Sequence, residues 1–137
     1  MYQEKYLGVL VMIYPVNKVY SEVKKSVASL CTNTSRTIKQ TPQTMPFLYL
    51  KVLGSHNTYS DLDNNENAIV LSIEIRVYTT GTKAMNDAEK IFALANDKLF
   101  EMGFERFYGI EPIDNINDTN VIQLIARYRR TVCEGDF

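Results

Sequence analysis

The sequence predicts an α+β domain: a single mixed or antiparallel four-stranded sheet with two main helices packed on one face, in the order α-β-β-α-β-β. Three observations carry that expectation. Two segments repeat apolar residues at three- and four-residue spacing, two others alternate apolar with polar residues, and 137 residues suffice for one ordinary core. Residues 1–137 are therefore read as one domain.

The first helix follows from Val16, Val19, Tyr20, Val23, Val27, Leu30 and Cys31, which fall on one helical stripe. Lys18, Glu22, Lys24, Lys25 and Ser29 lie off it, Glu22 sits four residues after Lys18, and Pro15 suits the lead-in. The segment before it, Tyr2 to Ile13, fits a helix or a strand and leans helical. From Thr32 to Thr44, residues that compete for backbone hydrogen bonds, together with Pro42, predict a connector.

Phe47 to Leu53, closed by Gly54, reads as the first strand. The thirteen positions from Ser55 to Asn67 hold one aliphatic residue, Leu62, which predicts a projecting polar arm rather than a tight hairpin. The second strand alternates, with Ile69, Leu71, Ile73, Ile75 and Val77 on the core face and Ser72, Glu74, Arg76 and Tyr78 on a face that is at least partly wet. A second helical stripe, Ala84, Ala88, Ile91, Phe92, Ala95, Leu99 and Met102, ends at Gly103. Phe104 to Ile110 forms a third strand and the stretch from Thr119 a fourth, with Ile122, Leu124, Ala126 and Tyr128 opposite Gln123, Arg127 and Arg129.

Composition excludes several function classes. A net charge of −1 argues against a dedicated nucleic-acid binder, and a single histidine removes most histidine-based metal sites and triads. The apolar run Leu7 to Tyr14 is too short to cross a bilayer and has no cleavage-site pattern, so neither a signal peptide nor a membrane span is expected. Cys31 and Cys133 lack a CxxC spacing and are expected as buried free thiols in a reducing cytoplasm.

The motifs are equally restrictive. Asp61-Leu62-Asp63-Asn64-Asn65-Glu66 begins like a calcium loop but has Glu66 at the sharp-turn glycine and Ser72 at the twelfth-position glutamate. His56 is expected as a solvated loop residue with no thiol partner. Tyr49, Phe104, Phe107 and Tyr108 suit core or interface packing better than base stacking, because no basic residues interleave with them. No phosphate loop, HExxH or GxSxG is present, so no catalytic residue, metal or cofactor is assigned and the chain is not expected to be an enzyme.

Charge is placed unevenly. Residues 1–60 hold seven basic and two acidic residues, a net of +5, while residues 61–137 hold eight basic and fourteen acidic, a net of −6. Two solvated surfaces of one domain are the plain reading, and a head-to-tail ring joining a basic to an acidic patch is the sharper one. Arg127, Arg129 and Arg130 form the tight basic cluster, with cross-strand pairing to Glu74 set against subunit contact as its role.

Several of these patterns together resemble the tail terminator proteins of long-tailed bacteriophages, also called tail completion, tail-to-head joining or minor capsid proteins. The resemblance rests on length, the leading amphipathic helix, and the Pro46-Phe47 strand opening with its polar arm. It continues through the alternating run Ile69 to Val77, the helix ending Leu99-Phe100-Glu101-Met102-Gly103-Phe104, and the closing Arg127-Tyr128-Arg129-Arg130, covering most of residues 16–133. It implies a structural virion protein, made in the bacterial host cytoplasm, whose hexameric ring ends the tail tube and joins it to the head connector. The implied partners are further copies of itself, the tail tube protein and the connector or head completion protein, with DNA only in passage through the channel and no membrane. Candidate interface residues are His56, Tyr59, Asp61, Asp63 and Glu66 on the arm, and Glu74, Arg76, Arg127, Arg129 and Arg130 on the sheet. The alternative from another class is a small α+β subunit of a metabolite- or nucleotide-binding enzyme.

Overall fold

The computed structural model describes residues 13–38, 44–60, 66–113, 120–133 and 135–137. Its elements are α1 (Val16–Val27), β1 (Asn33–Ser35), β2 (Phe47–Ser60), β3 (Glu66–Thr80), α2 (Ala84–Glu101), β4 (Glu105–Ile113) and β5 (Val121–Cys133). Among the described residues the fold is α+β, with two helices and one mixed five-stranded sheet in the order β1-β2-β3-β5-β4. The expected four strands become five because Asn33-Thr34-Ser35, inside the expected connector, pairs in parallel with Phe47, Leu48 and Tyr49. All other pairs are antiparallel.

Both helices lie on one face, where one-sided elements bury their apolar sides together. Val16, Val19, Val23 and Val27 of α1 and Ala88, Ile91, Phe92, Ala95 and Leu99 of α2 meet Leu48, Leu50, Ile73, Ile75, Val77 and Tyr128 in one core. Glu22 ties the helices together, reaching Lys18 at 3.3 Å and Lys98 of α2 at 3.9 Å. The bond to Lys18 and its charge hold the Glu22 carboxyl below its ordinary range.

Three boundaries differ from expectation. α1 stops at Val27 rather than reaching Cys31: the chain turns through Leu30, which is 46% exposed, while the Cys31 amide donates back to Val27 and its side chain is buried. β2 continues to Ser60, so much of the expected arm belongs to the sheet, with Ser55 opposite Leu71, His56 opposite Val70 and Asn57 opposite Ile69. Register shifts at Val52/Gly54 and Asn57/Tyr59 absorb the polar segment. β4 opens at Glu105 and runs on through Pro112, which an edge strand tolerates. α2 ends as the glycine predicts: Gly103 has φ +88 and donates to Phe100, and Phe104 donates to Leu99.

Candidate functional site: the outer face of the sheet

Alternation along the strands sends one set of side chains to the helices and the other to the opposite face, where the register places them in rows. Lys51, Glu74, Arg127 and Tyr108 form one row across β2, β3, β5 and β4. Tyr49, Arg76, Ile125 and Glu111 form the next, followed by Phe47, Tyr78, Gln123 and Ile113. On the other side of the first row stand Ser72, Arg129 and Glu105. Among the described residues no helix packs on this face.

Glu74 is the centre of the arrangement. It was expected on a solvated surface, yet it is only 1% exposed. Arg76 donates its Nε to Glu74 Oε2 at 2.6 Å, and Arg127 donates its Nε to Glu74 Oε1 at 3.0 Å. A buried carboxylate is tolerable when both oxygens accept charge-assisted hydrogen bonds, and two guanidinium groups supply them here. Each arginine spends its Nε inward and remains partly exposed.

Toward β4 the face becomes aromatic. The Arg127 guanidinium lies 4.9 Å from the Tyr108 ring centroid, and Arg129 lies at the same distance from Phe107 while donating its Nε to Glu105 at 3.0 Å. Tyr108 donates its hydroxyl to Glu111 at 2.9 Å, and that bond with its neighbouring negative charge pushes the tyrosine up. Phe107, Tyr108, Ile110 and Ile113 are all exposed large apolar side chains on this one edge strand. A register shift between Arg106 and Tyr108 places Phe107 as the extra residue of a bulge. The expected strand ends at Ile110, and Glu111 and Ile113 fall outside it because Pro112 masks their membership of the strand.

The candidate residues separate into three groups. Glu74, Arg76, Arg127 and Arg129 share the outer face. Arg130 does not join them: one position along β5, it points to the helix side, donates Nη1 to the Met102 carbonyl at 2.6 Å and Nη2 to Asp136 at 3.1 Å, and lies over Phe137. It serves the C-terminal end of α2, where carbonyl groups favour a cation. His56 is exposed on β2, in a strand and not a loop. Tyr59 and Glu66 lie in β2 and β3 near the hairpin end, and Asp61 and Asp63 fall outside the described residues.

Elsewhere, a cavity of about 350 Å³ lies between the end of α1, the start of β2 and α2, lined by Leu30, Met45, Pro46, Thr79, Asp87 and Ile91. Thr79 spends its hydroxyl on the Ala84 carbonyl at 2.6 Å. Cys31 is buried, whereas Cys133 is exposed, against the expectation of two buried thiols. Among the described residues no group of histidine, cysteine and carboxylate side chains is placed to hold a metal ion, and no helix is long and apolar enough to cross a membrane. No protein-family model matches this chain and no curated protein matches it.

Proposed function

We propose that this chain is a structural virion protein, a subunit of a ring that terminates the tail tube of a long-tailed bacteriophage and joins it to the head connector. The observation that supports the reading is the outer face of β4 and β5, where Phe107, Tyr108 and Ile113 stand exposed and Arg127 and Arg129 stack on the first two rings. Aromatic residues and arginine are the side chains that carry binding energy at protein interfaces, and they gain it when a partner removes the surrounding water. A ring subunit needs such a surface, because each copy must bind the next through two different patches. The sequence resemblance over residues 16–133 supplies the identity of the ring: a hexamer, with the tube protein and the connector as its neighbours.

The test is assembly in vitro. Adding this protein to polymerising tail tube protein should yield capped tubes of limited length, with annular particles visible by negative-stain microscopy. Tubes that grow equally long with and without it would overturn the proposal. The alternative, a metabolite- or nucleotide-binding subunit, would use the cavity beside Thr79 and Asp87, whose size reaches the lower end of small-molecule sites. Thermal stabilisation by a nucleotide, lost on Asp87→Ala, would favour it.

A further inference from the structure

We propose that the outer face of β4 and β5 is covered by the exposed stripe of α2 from a second copy of this chain. The proposal rests on the reading of the chain as a ring subunit and names the contact that builds the ring.

The outward side of α2 carries Met85, Glu89, Ala93, Asp97 and Phe100, spaced by three or four residues and therefore aligned along one line of the helix. All five are exposed, and Phe100 is 51% exposed. This stripe combines large apolar side chains with carboxylates. The nearby Lys98 cannot neutralise it fully, because its ammonium group reaches Glu101 at 3.1 Å and Glu22 at 3.9 Å. The sheet face offers the complement: exposed aromatic and aliphatic side chains next to Arg127 and Arg129, each of which holds its internal carboxylate through Nε. A carboxylate from outside can approach the rest of such a guanidinium fork without displacing that contact. The aromatic rings beneath Arg127 and Arg129 hold the guanidinium planes in place, so less side-chain freedom is lost on binding.

Geometry favours a head-to-tail contact. The stripe lies on the outside of the helical layer and the arginine face on the outside of the sheet layer, so one subunit presents both halves on opposite sides. Such heterologous contacts repeat from copy to copy, and they form a ring where the rotation between copies closes. Pairing through β-strand edges is the less suitable route, since β4 carries two register shifts and Pro112, devices that blunt an edge.

The experiment uses the full chain with a photo-crosslinking phenylalanine analogue in place of Ala93, combined with sedimentation of the charge-reversal variants Asp97→Arg and Arg129→Glu. Both charged positions are exposed, so both variants should fold, which circular dichroism checks. The expected result is self-association of the wild type, a crosslink from position 93 to peptides of β4 or β5 in another copy, and dissociation constants raised about tenfold or more in each variant alone. Mixing the two variants should restore association, because each supplies the surface the other has reversed. A protein that is monomeric at its highest soluble concentration, a crosslink from α2 to α2, or unchanged association in both variants would each overturn the proposal. If rings cap tubes while the charge reversals have no effect, this contact fails and the ring function stands. If the contact is found but tubes are unaffected, the function fails and the contact stands.

Discussion

Arg127 donates its Nε to Glu74 at 3.0 Å across a register pair that joins β5 to β3, and it thereby supports a carboxylate with 1% exposure. Sequence alternation alone places Arg127 on a solvated face and predicts that Arg127→Glu leaves the melting temperature nearly unchanged. The burial of Glu74 reverses that expectation. The variant sets a second carboxylate against a buried one that only Arg76 still supports, and the loss should be about 2 to 4 kcal/mol. Urea denaturation checks it, with Glu74→Gln/Arg127→Gln expected to recover part of the loss because no buried carboxylate is left, while Arg76 still donates to the amide oxygen at position 74. An unshifted midpoint for Arg127→Glu would show that the pair is solvated.

Gly109 in β4 has φ +86, and a side chain there would run into the Ile125 carbonyl oxygen and Ala126 of β5. Gly81 has φ +103 but faces open space. Both alanine substitutions carry backbone strain, but only the first adds a collision with backbone that cannot move aside. Gly109→Ala should therefore cost about 2 to 4 kcal/mol and Gly81→Ala about 1 kcal/mol. Paired denaturation curves decide it, and equal midpoints would remove the steric argument.

The hairpin of β2 and β3 gives a third outcome. Replacing Ser55 to Asn67 with a short turn, which a free arm would tolerate, here removes strand residues opposite the buried Leu71 and Ile69. That replacement should destabilise the fold by about 2 to 4 kcal/mol, which urea denaturation measures. Under the tail-joining reading a shorter replacement, confined to residues 61–65, still abolishes joining. Normal infectious yield after it would detach those residues from function.

What could be read from the sequence followed from one-sided burial. α1, α2 and β3 write a period into the chain because each turns one side to the core. β1 wrote none: Asn33, Thr34 and Ser35 are strand only because the chain returns beside Phe47, Leu48 and Tyr49. Polar composition hid Ser55 to Ser60 in the same way. Alternation assigned Glu74 correctly to the face away from the helices, but the two arginines that hydrogen-bond it, one of them on another strand, need the register to be seen. Arg130 was legible by the same period-two rule, since adjacent strand residues cannot share a face with each other.

The two cysteines should differ sharply in reactivity. Cys31 is buried, its thiol donates to the Asn33 carbonyl at 3.4 Å and the Pro46 carbonyl at 3.5 Å, and burial pushes the thiol up. Cys133 is exposed. Because the thiolate is the reacting form, a disulfide reagent under native conditions should label Cys133 at once and Cys31 about a hundredfold more slowly, at a rate set by opening of the fold. Mass spectrometry of a time course checks this, and equal labelling would contradict the burial of Cys31.

Tyr128 supplies a pH-dependent prediction. Its side chain is fully buried, its hydroxyl donates to Asn96 Oδ1 at 2.7 Å, and burial pushes its pKa up from 10.0 to about 12 despite the opposing influence of Arg106. The neutral phenol is thus favoured in the folded state. A group whose folded value is raised contributes stability fully below its unfolded value of about 10 and loses it as pH rises through about 12. The contribution is on the order of 2 to 3 kcal/mol, and it should vanish progressively between pH 10 and 12. Tyr128→Phe removes the ionisable hydroxyl while keeping the ring. The variant should be less stable than wild type near neutrality by about 1 kcal/mol, the loss of one buried hydrogen bond. Its stability should then fall less steeply over the alkaline range, so the two curves converge or cross. Urea denaturation at pH 8, 10 and 11.5 measures both slopes. Parallel curves for the two proteins would mean that Tyr128 titrates as an ordinary exposed tyrosine.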